Sequence, residues 1–288
     1  MSSIIGIVLT FICVFGGYMW AGGKLDIILH SLPYEMMIIG GAAVGAFACG
    51  NDMHTIKMTG RDIIAVFKGP KWNKEDYADL LCLMHELIRI MRESPVEVET
   101  HIEDPNESEL FQRYPKILEE GQLVELISDT IRSMLMNYDE VYQVEELLDT
   151  QLEGIKEDSL HGSHALQTTA DALPALGIVA AVLGVIKTMA SIDKPPEVLG
   201  GMIGGALVGT FLGVFLAYSI VGPFAGKVKA IREQEHFFYA MVRSVVVSSL
   251  HKNETNICIE VARRSAPKHQ RPSFSVIEQA LKDLKSAA

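Results

Sequence analysis

The chain has 288 residues, 49% of them hydrophobic, yet it carries a formal charge of −11. A mean hydropathy of +0.22 beside that charge requires the apolar residues to be gathered in blocks, as in a membrane protein with a water-exposed part. An acidic balance with no contiguous basic face excludes a nucleic-acid binder. The four cysteines, Cys13, Cys49, Cys82 and Cys258, lack CxxC spacing and read as small buried hydrophobes rather than a zinc site or a disulfide framework.

In chain order, four stretches have charge-free interiors: residues 4–22, 34–50, 174–190 and 201–222. At about 1.5 Å per residue they span roughly 25 to 33 Å, enough for a hydrocarbon core of about 30 Å with some tilt. The first reads as a retained helix, because no Lys or Arg precedes Lys24 and a secretory leader needs a positive start. The short connectors are residues 23–33 and 191–200. Of the 25 Lys and Arg residues, all but Lys24, Lys187 and Lys194 lie on the side of the long segments, which places both termini and residues 51–173 in the cytoplasm. Tyr18 and Trp20 fit an aromatic belt at the outer end of the first span.

Between the second and third spans, Tyr77, Leu80, Leu81, Met84, Leu87, Ile88 and Met91 recur at three and four, predicting an amphipathic helix over 73–93. Asn73, with Asp76 three residues on, is its N-cap. Turn signals follow at 93–95 and 104–106. Leu123, Leu126, Ile127, Ile131, Met134 and Leu135 predict a further helix beyond Gly121. From Asp139 to Thr169 the chain reads as one long helix that runs on into the third span, with Val141, Val144, Leu147, Leu148, Leu152 and Ile155 inward. After the fourth span, residues 227–250 are helical again. The basic run over residues 263–269 reads as a solvated tail, with lipid headgroup contact as the functional alternative. The fold class is therefore all-α: a polytopic membrane protein with four transmembrane helices and a helical cytoplasmic domain. Its divisions are residues 1–50 (spans one and two), 51–173 (cytoplasmic helical domain), 174–223 (spans three and four) and 224–288 (C-terminal helix and tail).

Ion-coupled machines need an ionisable group at membrane depth. The predicted spans hold none: Glu35 and Lys187 fall near span ends and Asp171 at the cytoplasmic mouth. An ion carrier would have to come from another chain, and a scaffold without ion coupling fits these observations equally. Gly201, Gly205, Gly209 and Gly213 repeat every four residues in the fourth span, with Gly177, Ala180, Ala181 and Gly184 in the third. Such lines let helix backbones approach closely. They serve either packing within the chain or a smooth surface facing a partner helix, and the length of the line favours the partner. Thr210 stands beside it, a hydroxyl able to touch a hydrated ion path. Pro174 opens the third span and Pro223 closes the fourth, positions where proline serves as ordinary punctuation. His161 and His164 form HxxH without the acidic companion that metal catalysis needs, so they read as helix surface and neither an enzyme nor a metal is expected.

Residues 171–184 (DALPALGIVAAVLG) and 200–213 (GGMIGGALVGTFLG) closely resemble helices three and four of the flagellar stator MotA family. Residues 103–108 (EDPNES), 114–118 (YPKIL) and 271–274 (RPSF) are similar to its cytoplasmic segments. The two-plus-two helix order separates the chain from the three-span ExbB and TolQ proteins. The resemblance implies a homopentamer around a dimer of a MotB-type single-span protein, which carries the proton-binding Asp and a peptidoglycan-binding domain. That assembly lies in the bacterial inner membrane among its lipids and pushes the rotor protein FliG. The resemblance also gives Pro174 and Pro223 a conformational role and places Thr210 on the ion path. Ala181 stands where sodium-driven relatives carry a second hydroxyl, which favours H+ over Na+, with no cofactor. Glu99 matches the acidic rotor contact, and the basic one is Arg92 or, alternatively, Arg89. The competing reading is an ExbB/TolQ-like energy-transducing subunit that drives a periplasm-spanning partner.

Overall fold

The computed structural model describes residues 2–136 and 141–287. In chain order the helices are α1 (Ser2–Trp20), α2 (Leu25–Gly50), α3 (Met53–Lys68), α4 (Lys74–Glu93), α5 (Pro95–Glu103), α6 (Glu109–Gln112), α7 (Pro115–Leu118) and α8 (Gly121–Leu135). There follow α9 (Val141–Met189), α10 (Pro196–Leu216), a π-helical turn (Ala217–Val221), α11 (Gly222–Leu250), α12 (Thr255–Ser265) and α13 (Phe274–Ala287). Two compact units result: Met1–Gly69 with Ser159–Ile231, and Pro70–Asp158 with Arg232–Ala288. The first draws in α3 and residues 159–173 and 224–231, beyond the spans themselves.

Among the described residues, four helical stretches are long and apolar enough to cross a membrane: Ser3–Trp20, Leu25–Gly50, and parts of Val141–Met189 and Pro196–Leu250. α1 ends in a Schellman arrangement. Gly22, at φ +84°, sends its N–H to Met19 O at 2.9 Å, and Gly23 sends its own to Tyr18 O at 2.9 Å. The left-handed φ is one that a glycine adopts without a Cβ clash. α2 then starts at Leu25, so most of the predicted connector over residues 23–33 is helix. Pro33 lies inside α2 rather than before it. A proline in a helix interior removes one backbone bond but does not oblige the chain to stop when neighbouring helices hold it. This correction moves Glu35 from a span end to eleventh place in a helix of 26 residues.

The other prolines are corrected in the same sense. Pro174 lies within the continuous 49-residue α9, and Pro223 is the second residue of α11. Neither punctuates a helix end. The π turn before Pro223, in which Gly222 N–H reaches Ala217 O, makes room for a ring that would otherwise meet the carbonyl four residues back. The expected start of the long helix at Asp139 lies outside the described residues.

The second unit is built around α4. Tyr77, Leu80, Leu81, Leu83, Met84, Leu87 and Ile88 are fully buried, and Cys82, His85 and Glu86 nearly so. The predicted amphipathic helix is thus a central one, wrapped on most sides. Its N-terminus carries the predicted cap: Asn73 Oδ1 accepts from Asp76 N at 3.2 Å, and Asp76 Oδ2 accepts from Asn73 N at 2.6 Å. Trp72 stacks on Phe238 at 4.1 Å, and Tyr77 meets Phe238 edge-on at 5.0 Å. Val144, Leu148 and Leu152 of α9 join this core as predicted, whereas Leu147, expected inward, is exposed. The basic run over residues 263–269 is solvated at Arg264, Lys268 and His269, as expected, but it is not a tail, since it joins α12 to α13. Arg263 binds Glu260 at 2.7 and 2.8 Å and Pro272 O at 2.9 Å, and Arg264 shares Glu260 at 2.7 Å. These hydrogen bonds hold the Glu260 carboxyl down at about 2. Cys82 and Cys258 are buried as read, but Cys13 and Cys49 are exposed on α1 and α2.

Candidate functional site

The backbones of α9 and α10 approach each other closely at their glycines. A Cβ built on Gly177 would stand 2.8 Å from Gly209 O and 3.0 Å from Gly213 Cα. One on Gly184 would stand 2.6 Å from Ala206 Cβ, and one on Gly213 would stand 2.6 Å from Leu173 O. Residues 177, 180 and 184 occupy one face of α9, and 206, 209 and 213 one face of α10. Only small residues allow two backbones this near, and in lipid such contacts stand in for the missing hydrophobic drive.

α2 lies against the adjoining side of α10. A Cβ on Gly205 would stand 2.8 Å from Ser31 Oγ, and one on Gly209 would stand 2.6 Å from Glu35 Oε2 and 3.1 Å from Ala180 Cβ. Glu35 therefore points at the α9–α10 crossing. It is 7% exposed, and its Oε2 is buried without a hydrogen-bond partner among the described residues. Ile39, Ala43, Leu173, Ala180, Val208, Leu212 and Ala217 complete the small apolar core around it. The sequence reading that put Glu35 near the end of a span is corrected: counted along the helix, it lies about 15 Å from the start of α2.

The Gly line is corrected too. Gly205, Gly209 and Gly213 face this chain's own α2 and α9, and only Gly201 (with Gly200) has open space where a Cβ would be. Residues spaced by four advance about 40° per step around a helix of 3.6 residues per turn, so a line of four glycines winds off any single face. Ala181 and Thr210 are half-buried, each one residue beyond the Ala180–Gly209 contact, so the crossing brings them to the same level. Pro174 and Pro223 also come close through their turns: a Cβ on Gly222 would stand 4.0 Å from Ala170 Cβ, and Ala170 bears the carbonyl that Pro174 leaves without its helical donor.

In the second unit, the three charges expected at a rotor contact differ in their freedom. Arg92 donates to Ser249 Oγ at 2.9 Å, Asn253 O at 2.7 Å and Thr255 Oγ1 at 3.3 Å, so it ties down the turn between α11 and α12. Arg89 pairs with Glu93 at 3.5 Å, a neighbour on its own helix, and Glu99 is exposed on α5. His161 and His164 are exposed on α9. The residue that sequence reasoning missed is Glu35. Its signal was present, since Asp26, His30 and Tyr34 repeat every four residues alongside Ser31 and Glu35, but Pro33 masked the continuity of the helix.

Four apolar helices, three of which (α2, α9 and α10) meet at glycine and alanine contacts, define a polytopic α-helical membrane protein. The sequence matches the Motility protein A N-terminal family over residues 4–95 and the MotA/TolQ/ExbB proton channel family over residues 119–241. It is 35% identical to chemotaxis protein LafT of Vibrio parahaemolyticus, over 98% of each chain. It is 34% identical to motility protein A of Salmonella typhimurium, over 99% of this chain and 97% of that one. The chain thus belongs to the motility protein A family, whose members are channel-type membrane proteins and not enzymes. Two solved structures share the fold. One is the C. jejuni MotAB structure (TM-score 0.71, 20% identity, 95% of this chain and 98% of that one). The other is the flagellar MotAB stator complex from Bacillus subtilis (TM-score 0.67, 22% identity, 99% and 98%).

Proposed function

We infer that this chain is the membrane subunit of a bacterial flagellar stator that couples proton flow to torque on the rotor. The observation that carries this reading is the end-to-end similarity to motility proteins, with 97–99% of both chains aligned at 34–35% identity. Five copies surround the paired spans of a MotB-type partner held on peptidoglycan. The excess of Lys and Arg on the long segments sets both termini in the cytoplasm of the inner membrane. A proton descending the membrane potential yields about 2.3 kcal/mol per 100 mV, so the alternating states differ by only a few kcal/mol. Close Gly and Ala contacts suit such small steps, because no interlocked side chains need to be withdrawn. Ala181 offers no second hydroxyl to a metal cation, which supports H+ as the transported ion. Rotor contact falls to Arg89 and Glu99, since Arg92 is committed to the turn over residues 249–255.

The test is complementation. Expressed with its partner in cells that lack a stator, the chain restores swimming, which continues without sodium and stops with a protonophore. Restored swimming that fails when sodium is withdrawn would overturn the choice of ion. No restoration, together with co-purification of a TonB-like protein, would favour the ExbB/TolQ-like reading instead.

A further inference from the structure

The polar residues of α2 line a cleft of 560 Å³ in the first unit. Asp26, His30, Ser31, Tyr34 and Glu35 form one wall, Lys187 and Thr188 of α9 stand opposite, and Gly201 and Gly205 of α10 leave the remaining side bare. The cleft starts beside the turns that follow α1 and α9, where Asp26 and His30 are exposed. It narrows to Glu35, whose far side is closed by Gly209 and Ala180. The entry thus carries exposed Asp26 and His30, while the inner end holds one carboxyl group with a buried oxygen that has no hydrogen-bond partner among the described residues.

Leaving a carboxylate oxygen unpaired in an apolar setting is unfavourable, whereas a protonated carboxyl carries no charge to desolvate. A metal cation does not fit: it needs several oxygen ligands, and the floor around Oε2 is Ala180 Cβ and the Gly209 backbone. A proton needs a single oxygen. Groups able to pass it inward along α2 lie at successive turns, namely Asp26, His30, Ser31 and Tyr34, and Lys187 is a cation facing them across the cleft.

We propose that Glu35 is a proton-binding station carried by this chain and filled through the cleft. A proton from the outer water adds to a Glu35 oxygen to give the neutral acid. It then leaves for the carboxylate of the single-span partner, which becomes neutral as Glu35 returns to the anion. This rests on the proton-driven stator reading above, and the experiment separates the two.

In cells lacking a stator, swimming by the native chain with its partner tests the stator reading alone. Glu35→Gln, present in the membrane at native level, is then expected to swim about tenfold more slowly or worse. Glu35→Asp, which keeps the acid, is expected to swim with a shifted dependence on external pH. Glu35→Gln cells that swim at native speed at every external pH would overturn the proposal while leaving the stator reading intact. Infrared titration of the purified complex, its partner acid replaced by the amide, supplies the second arm and needs no torque. The native chain should show a titrating carboxylic acid band that Glu35→Gln lacks and Glu35→Asp moves. Identical titrations for the native chain and Glu35→Asp would overturn the proposal even if the Gln variant failed to accumulate.

Discussion

In the unit formed by Pro70–Asp158 and Arg232–Ala288, the side chains removed from solvent are large, with Tyr77, Phe111, Phe238 and a run of leucines at 0% exposure. Its buried charges are matched: Glu86 meets Arg113 at 3.2 Å, and Asp76 pairs with Lys116. In the other unit close contacts are made by residues with almost no side chain, and one buried charge-bearing group, Glu35, has an oxygen with no hydrogen-bond partner among the described residues. The surrounding medium accounts for the contrast. Water rewards burying large apolar groups at roughly 25 cal/mol per Å². Lipid gives no such reward, so helices there associate by close backbone approach, which requires small residues. A matched charge contributes to fold specificity in the first setting, whereas an unmatched one in the second marks function.

The contrast can be broken most forcefully at Gly213. A side chain there meets Leu173 O and Gly177 Cα, both backbone atoms that cannot move aside, so Gly213→Leu should abolish accumulation in the membrane. Gly201→Leu, where the space is open, should accumulate normally; equal immunoblot levels for the two variants would show that close approach is not what holds the helices. In the water-facing unit the corresponding probe is Phe238→Ala. Losing a ring stacked on Trp72 and edge-on to Tyr77 should cost about 3–5 kcal/mol, read as a lowered melting temperature of the intact protein in detergent. A shift no larger than that of an exposed-site variant would count against a side-chain-filled core.

The smallest expected effect concerns pH. Arg263 and Arg264 hold the Glu260 carboxyl at about 2, below its ordinary 4.5. A carboxyl depressed in the folded state contributes stability that is fully present above the ordinary value and is lost as pH falls through about 2. Glu260→Gln should therefore flatten the acid limb of the melting temperature between those values and leave that limb's form unchanged near neutrality. Because the partners are partly solvated, the difference should be under about 1 kcal/mol. An acid limb of the same steepness in both proteins would remove Glu260 from the pH response.

Much of this could be read from the residues before any coordinates. The four apolar blocks, the Asn73 cap and the core positions of α8 and, Leu147 excepted, of α9 are local patterns of period 3.6, and they appear where the sequence places them. What could not be read locally depended on neighbours. Pro33, Pro174 and Pro223 look like stops, since a proline denies one helical bond, yet packing carries the helix through all three. Reading Pro33 as a break left Glu35 at a span end and hid the polar stripe of α2. The Gly line was visible but its direction was not, since a spacing of four winds around the helix. Arg92 looked like a free surface cation, and its three partners lie more than 150 residues away in sequence.

The pairing of Ala170 with Gly222 has a mechanical meaning. On one rod the carbonyl of Ala170 has lost its donor to Pro174, and on the next a widened turn precedes Pro223, so both are most compliant at the same level. Two stiff rods that soften side by side flex together at little elastic cost, whereas softening at different heights would set each rod's bend against its neighbour's stiffness. Restoring the missing bond on only one of them would thus already stiffen the pair, because neither rod bends there without the other.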